Sequence, residues 1–138
     1  MLAQAAGSTI RQMITAFVSG HLDATDDEFA EHYAPAIRAH RDARGAFVVA
    51  DARGADQRAQ RLLLELGSRQ VTVFHMLDAP RANLGDWPTR GGFSSDQARD
   101  EALTAASDFD IAWVRPGRER SGTAKNVRRR LASGPAPT

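Results

Sequence analysis

A chain of 138 residues, 42 % hydrophobic and 25 % charged, has room for one domain around one continuous core, and its composition excludes global disorder. A net charge of +1 provides no whole-molecule attraction to nucleic acid or membrane, and the lack of cysteine excludes disulfides, thiolate nucleophiles and cysteine metal sites. No apolar run approaches the roughly 18–20 residues of a membrane helix, and residues 1–12 lack the basic start and apolar stretch of a signal peptide, so a cytoplasmic, soluble protein with a flexible 1–12 lead-in is expected.

The run Met13–Ser19 reads as a buried strand that breaks at Gly20-His21. Thr25 then caps a helix whose first turn carries Asp26, Asp27 and Glu28, where acids suit the positive end of the dipole. Phe29, Tyr33 and Ile37 form one apolar stripe, and Pro35 should kink or split this helix. Ala46–Ala50 is a second buried strand, followed by the loop Asp51-Ala-Arg-Gly-Ala-Asp56 and a helix through Leu62, Leu63, Leu64 and Leu66 that Gly67 terminates.

Gln70–His75 is a third strand, with β-branched residues alternating along it. Residues 76–93 hold Pro80, Gly85, Pro88, Gly91 and Gly92 without a period and read as a long functional or mobile loop. Ser94 or Ser95 caps a helix carrying Ala98, Ala102, Ala105 and Ala106, and Asp110–Arg115 is the fourth strand. A last helix runs from Gly122 to about Leu131, and 133–138 is a disordered tail by composition.

Strands separated by helices imply right-handed crossovers and a three-layer α/β domain over about 13–132, Rossmann-like, with a parallel sheet of four to five strands. Ligands in such folds sit beyond the carboxyl ends of the strands, where the strand order reverses. The loops after Ser19, Ala50, His75 and Arg115 are therefore the places to look.

Three segments carry candidate chemistry. In Arg115-Pro-Gly-Arg-Glu-Arg-Ser-Gly-Thr123, Gly117 and Gly122 let the backbone approach an anion, Ser121 and Thr123 offer hydroxyls, and the helix start presents free N–H groups. Arg118 and Arg120 could neutralise the charge, and the alternative is a capped surface loop. In the Asp51–Asp56 loop, Gly54 permits a tight turn, Arg53 can fork onto a phosphate or carboxylate, and Asp51 could act as a carboxylate in catalysis or serve as a turn residue. Asp56 suits the helix dipole. Arg99, early in its helix, opposes the dipole and calls for either a bound anion or an ion pair with Asp96 or Asp100.

His21 and His75 lie at strand ends and could face the same crevice, but neither has a metal-ligand spacing with a partner, and His32 and His40 fit exposed helix positions, so no metal is expected. Trp87 could stack on a base, whereas Trp113 reads as core. Lys125, Arg128, Arg129 and Arg130 fit a solvated helix end better than a nucleic-acid surface, because no aromatic residue is interleaved with them.

The order Ser19-Gly20, Ala-Arg-Gly-Ala-Asp56, Arg99-Asp-Glu-Ala-Leu103 and Ser-Gly-Thr123 resembles the SLOG superfamily over roughly residues 13–131. The likeness is nearest to its small YspA-like members, and the superfamily also holds the LOG phosphoribohydrolases and the DNA-processing protein DprA. The resemblance implies a nucleotide-type ligand and a pocket lined by Ser19, Gly20, Arg53, Gly54, Arg99, Gly122 and Thr123; no cofactor is expected. Two departures qualify it. Ala50 and Asp51 stand where the small members carry paired glycines, and Asn126 stands where LOG enzymes place a catalytic glutamate. An amide neither takes a proton nor stabilises an oxocarbenium ion as a carboxylate does. The resemblance therefore implies binding, with catalytic candidates reduced to Asp51, Asp56 and Arg99. An N-glycosidase acting on nucleoside 5′-monophosphates and a single-strand DNA binder are the alternatives. A sheet edge covered by a second copy would make a homodimer.

Overall fold

A computed structural model describes residues 13–133, so the lead-in expected over 1–12 and all of the tail beyond Ser133 lie outside the described residues. Along the chain run β1 (Thr15–Ser19), α1 (Asp26–His32), α2 (Ala34–Asp42), β2 (Ala46–Val49), α3 (Ala55–Glu65), β3 (Val71–Met76), β4 (Thr89–Phe93), α4 (Asp96–Ala105), β5 (Phe109–Ala112) and α5 (Gly122–Ala132). The strands form one all-parallel sheet in the order β4-β3-β2-β1-β5. The result is a three-layer, Rossmann-like α/β domain.

Period-two alternation divides each central strand between two cores. Ala16, Val18, Phe47, Val49, Val71 and Val73 face a large cluster completed by Phe29, Tyr33 and Ile37 and by the Leu62-Leu63 face of α3. Phe17, Val48, Ala50 and Phe74 face a smaller cluster closed by Leu103. The helix boundaries follow local chemistry. Thr25 and Glu28 make a reciprocal capping box on α1. Pro35 splits the expected helix into α1 and α2, lying in the first turn of α2. Gly67, at φ +69°, ends α3 in a left-handed cap, with Ser68 N–H bonded to Leu63 O and Gly67 N–H to Leu64 O.

Two expectations need correction. The segment 76–93 is not all loop: Met76 still belongs to β3, and Thr89–Phe93 pairs with β3 as an edge strand. The fourth strand of the sequence reading is likewise displaced, ending at Ala112 rather than Arg115. Trp113 leaves the ladder because its N–H is taken by the Tyr33 hydroxyl at 3.0 Å.

The β3–β4 crossover, residues 77–88, has no helix and is organised by side chains instead. Gln60, fully buried on α3, donates to Ala50 O and Ala82 O and accepts from Leu84 N–H. Asn83 brackets Trp87 through its N–H and C=O, and the Trp87 indole donates to Ser68 O at 2.9 Å. Trp87 is thus part of the large core and is not available to stack on a base.

Candidate functional site

Chain order in the sheet reverses at β1, which lies between β2 and β5, so the crevice expected of this fold opens between the loops that follow β1 and β5. Two glycines draw the first loop tight. A Cβ on Gly20 would meet the Tyr33 hydroxyl and the Ala55 side chain, and one on Gly54 would meet the carbonyls of His21 and Leu22. Gly54 also needs its φ of +78°. The His21 carbonyl consequently accepts from both Ala24 and Ala55. Tyr33 locks the two strand ends together: its hydroxyl donates to Ser19 O at 2.8 Å while accepting from Trp113 N–H. Burial pushes this phenol up to about 12, so it remains a donor.

The crevice is a cavity of about 240 Å³. One wall is the start of α5, where Ser121 caps Ala124 N–H at 3.1 Å and leaves the Gly122 and Thr123 amides without an intrahelical acceptor. The β1 end supplies Ser19, Gly20 and His21, and α4 supplies Asp96, Arg99 and Asp100. Asp56 and Asn126 complete the floor, and Arg118 reaches in from the β5–α5 loop. Next to it, and sharing Asp96, Asp100, Gly122 and Asn126, lies a cleft of about 510 Å³ between α4 and α5, bordered by Lys125, Arg128 and Arg129.

Arg99 is almost fully buried. Its Nε and Nη2 donate to Asp100 Oδ1 at 3.3 and 3.2 Å. Nη1 lies 3.2 Å from Asp96 and 3.9 Å from Asp51 without hydrogen-bond geometry to either. Three buried polar atoms of residues lining this cavity have no hydrogen-bond partner: Arg99 Nη1, Ser19 Oγ and His21 Nδ1. Buried polar groups are nearly always paired, so three such atoms around one cavity mark it as unfinished.

The carboxylates differ in state. Burial pushes Asp56 up to about 7, against the Ala52 N–H bond and the Arg99 charge, which pull it down. Burial also raises Asp100, opposed by Arg99. Asp51 is only 1 % exposed, and burial alone would raise it, but Arg81 holds it below the usual carboxylate range. Arg81 does so twice over, through its backbone N–H at 2.7 Å and its guanidinium at 2.9 Å.

Of the residues singled out in sequence, Ser19, Gly20, Asp56, Arg99, Ser121, Gly122 and Thr123 come together around the cavity, and the ion pairs of Arg99 with Asp96 and Asp100 coexist with its place there. Arg53 is exposed, and neither it nor Gly54, Gly117 or Asp51 lines the cavity. Arg120 lies outside it with Gly117. His40 is not an exposed helix residue: Nε2 sits 3.1 and 3.0 Å from the carbonyls of Ile14 and Ala46, with Phe47 and Phe109 edge-on to the ring. Nor is His32 free, since it stacks on half-buried Trp113 at 3.9 Å. Arg130 leaves the solvated basic set, tying α5 to Asp110, Thr104 and Ser107.

Sequence reasoning did not place Asp96, Asp100 or Asn126 in the site, naming the two aspartates as ion-pair partners of Arg99 and Asn126 as the position of an absent glutamate; Asp100 and Asn126 lie one turn along from Asp96 and Gly122 on their helices. No helix among the described residues is long and apolar enough to cross a membrane. No family model, curated protein or solved structure matches this chain.

Proposed function

We propose that the chain is a nucleotide- or nucleotide-derivative-binding domain of the SLOG type, holding the ligand's phosphate at the start of α5. The supporting observation is the convergence of the α5 amides and Thr123 hydroxyl with the unpartnered atoms of Ser19 and Arg99 on one cavity at the strand-order reversal. A helix N-terminus favours an anion, and a guanidinium with a free N–H adds a charge-assisted bond. The volume of about 240 Å³ falls below the range of roughly 300–1,000 Å³ usual for larger ligands, so phosphate and sugar occupy it while the rest extends along the α4–α5 cleft.

Local charge fits this reading while Asp56 is protonated, the state that prevails below about pH 7. Asp96 and Asp100 then face Arg99 and Arg118 evenly, and an entering anion meets no net repulsion. Thermal melts with a panel of nucleoside 5′-monophosphates test the proposal. At least one should raise the melting temperature in proportion to the logarithm of its concentration, and Arg99→Ala should abolish the rise. An unchanged melting temperature across the panel would remove the reading.

One observation favours a second reading, hydrolysis of an N-glycosidic bond. Asp56 is a carboxyl inside the cavity whose pKa of about 7 suits a general acid at neutral pH. Release of free base from any panel member, lost in Asp56→Asn, is its signature.

A further inference from the structure

We propose that His21 is an uncharged hydrogen-bond donor to the anionic part of the ligand, its Nδ1–H fixed in place by the backbone of the β5–α5 loop. This rests on the nucleotide-binding reading and adds to it a contact residue and a protonation state.

The argument begins with the other ring nitrogen. His21 Nε2 lies 2.9 Å from the Arg115 backbone nitrogen. A peptide N–H only donates, so Nε2 must offer its lone pair, and the proton of the neutral ring resides on Nδ1. A doubly protonated ring would lose that bond and place a cation beside two arginines. Burial, Arg118 and Arg115 all lower the affinity of His21 for a second proton; Asp23 and Glu28 act oppositely. Those two acids are already engaged, however. Glu28 takes a two-pronged bond from Arg115 at 2.7 and 2.8 Å, and Asp23 takes Arg115 Nη1 at 3.1 Å.

Nothing about the ring is free to rearrange. Its own carbonyl is held by Ala24 and Ala55, and the indole of Trp113 packs against it at 6.1 Å and 73°. The remaining polar atom, Nδ1, is a buried donor with no partner in a residue 3 % exposed that lines the cavity. A histidine whose acceptor is satisfied and whose donor is not is half of a recognition device, because a neutral donor stays the same across the physiological pH range. With Ser19 Oγ and Arg99 Nη1 it forms a set of three donors around the volume assigned to the phosphate.

Two substitutions separate the ring's two jobs. Glutamine places a polar group near the Nε2 position and keeps the acceptor for Arg115, whereas asparagine places its amide near Nδ1 and keeps the donor. Adenosine 5′-monophosphate titrated by calorimetry into the full chain is the probe, with melting temperature as the control for folding. His21→Gln should keep the melting temperature and weaken binding about tenfold, a loss of one charge-assisted bond. His21→Asn should lower the melting temperature but bind within about threefold of the native chain. Nitrogen NMR of the free native protein should find the Nδ1-protonated tautomer. Full-strength binding by a folded His21→Gln, or an Nε2-protonated ring, would overturn the assignment of His21. If the native chain fails to bind adenosine 5′-monophosphate but the tautomer is as expected, the nucleotide reading falls first, and the donor role falls with it.

Discussion

The carboxyl end of the sheet has two halves, and they differ in how their polar groups are spent. At the carboxyl ends of β2 and β3 the buried polar side chains are paired: Gln60 with three backbone groups, Asp51 with Arg81, and His75 with the Met76 carbonyl. On the β1–β5 half the cavity keeps Ser19 Oγ, His21 Nδ1 and Arg99 Nη1 unpaired. Burial alone does not separate the halves, since Gln60 and Asp51 are as deeply buried as Ser19 or Arg99. Satisfaction does. A buried polar group with all its bonds made is a structural fastener; unpaired atoms also occur singly at Arg58 Nε, Ser68 Oγ and Thr104 Oγ1, but three around one cavity point to a partner from outside.

The sharpest way to break the comparison is at Gln60. Replacing it with leucine removes three hydrogen bonds and leaves the carbonyls of Ala50 and Ala82 and the amide of Leu84 unsatisfied. Loss on the order of 3 kcal/mol in urea unfolding is expected, with nucleotide affinity of the folded fraction little changed. A binding loss as large as the stability loss would erase the distinction between the halves.

A middle-sized effect comes from Asp56, on the cavity side. Its carboxyl is near 7 in the folded chain and near 3.8 when unfolded, so the folded state holds the extra proton between those values. Stability should therefore fall as pH rises from about 4 to about 7 and level off above, and Asp56→Asn should flatten that slope. At pH 8 the variant should be more stable than the native chain, and at pH 4 the two should coincide. Ligand affinity follows the same sign, weakening as Asp56 ionises beside the bound anion. Paired melts across pH check both statements.

The smallest effect sharpens the cavity's own chemistry. Thr123→Val keeps the shape of a residue only 4 % exposed and deletes one hydroxyl. Binding of adenosine 5′-monophosphate should weaken about five- to tenfold, while the melting temperature moves little.

Much of this arrangement is legible in the sequence because local physics decides it. Apolar runs mark β1, β2 and β3, Thr25, Ser95 and Ser121 cap helices through their own side chains, and Gly67 stops α3. Position at the end of β1 then picks out Ser19, and the Ser-Gly-Thr opening of α5 picks out Thr123. What stays hidden depends on distant partners. β4, Thr-Arg-Gly-Gly-Phe, has no strand-like pattern and is extended only because β3 pairs with it. The role of Asp51 is set by Arg81, thirty positions away in a segment without a period. The tautomer of His21 is set by a backbone amide ninety-four positions away. Trp87 looks free in a Gly- and Pro-rich stretch until Ser68 and Asn83 are found around it.

The phenol of Tyr33 has a wider consequence. Standing in the helical layer behind the sheet, it clasps the ends of β1 and β5 from the rear with one donated and one accepted bond. The aperture at the front is thereby gauged by a side chain that no ligand need touch, so natural variation in how such a pocket gapes can arise from its hinge-pin as readily as from its lining.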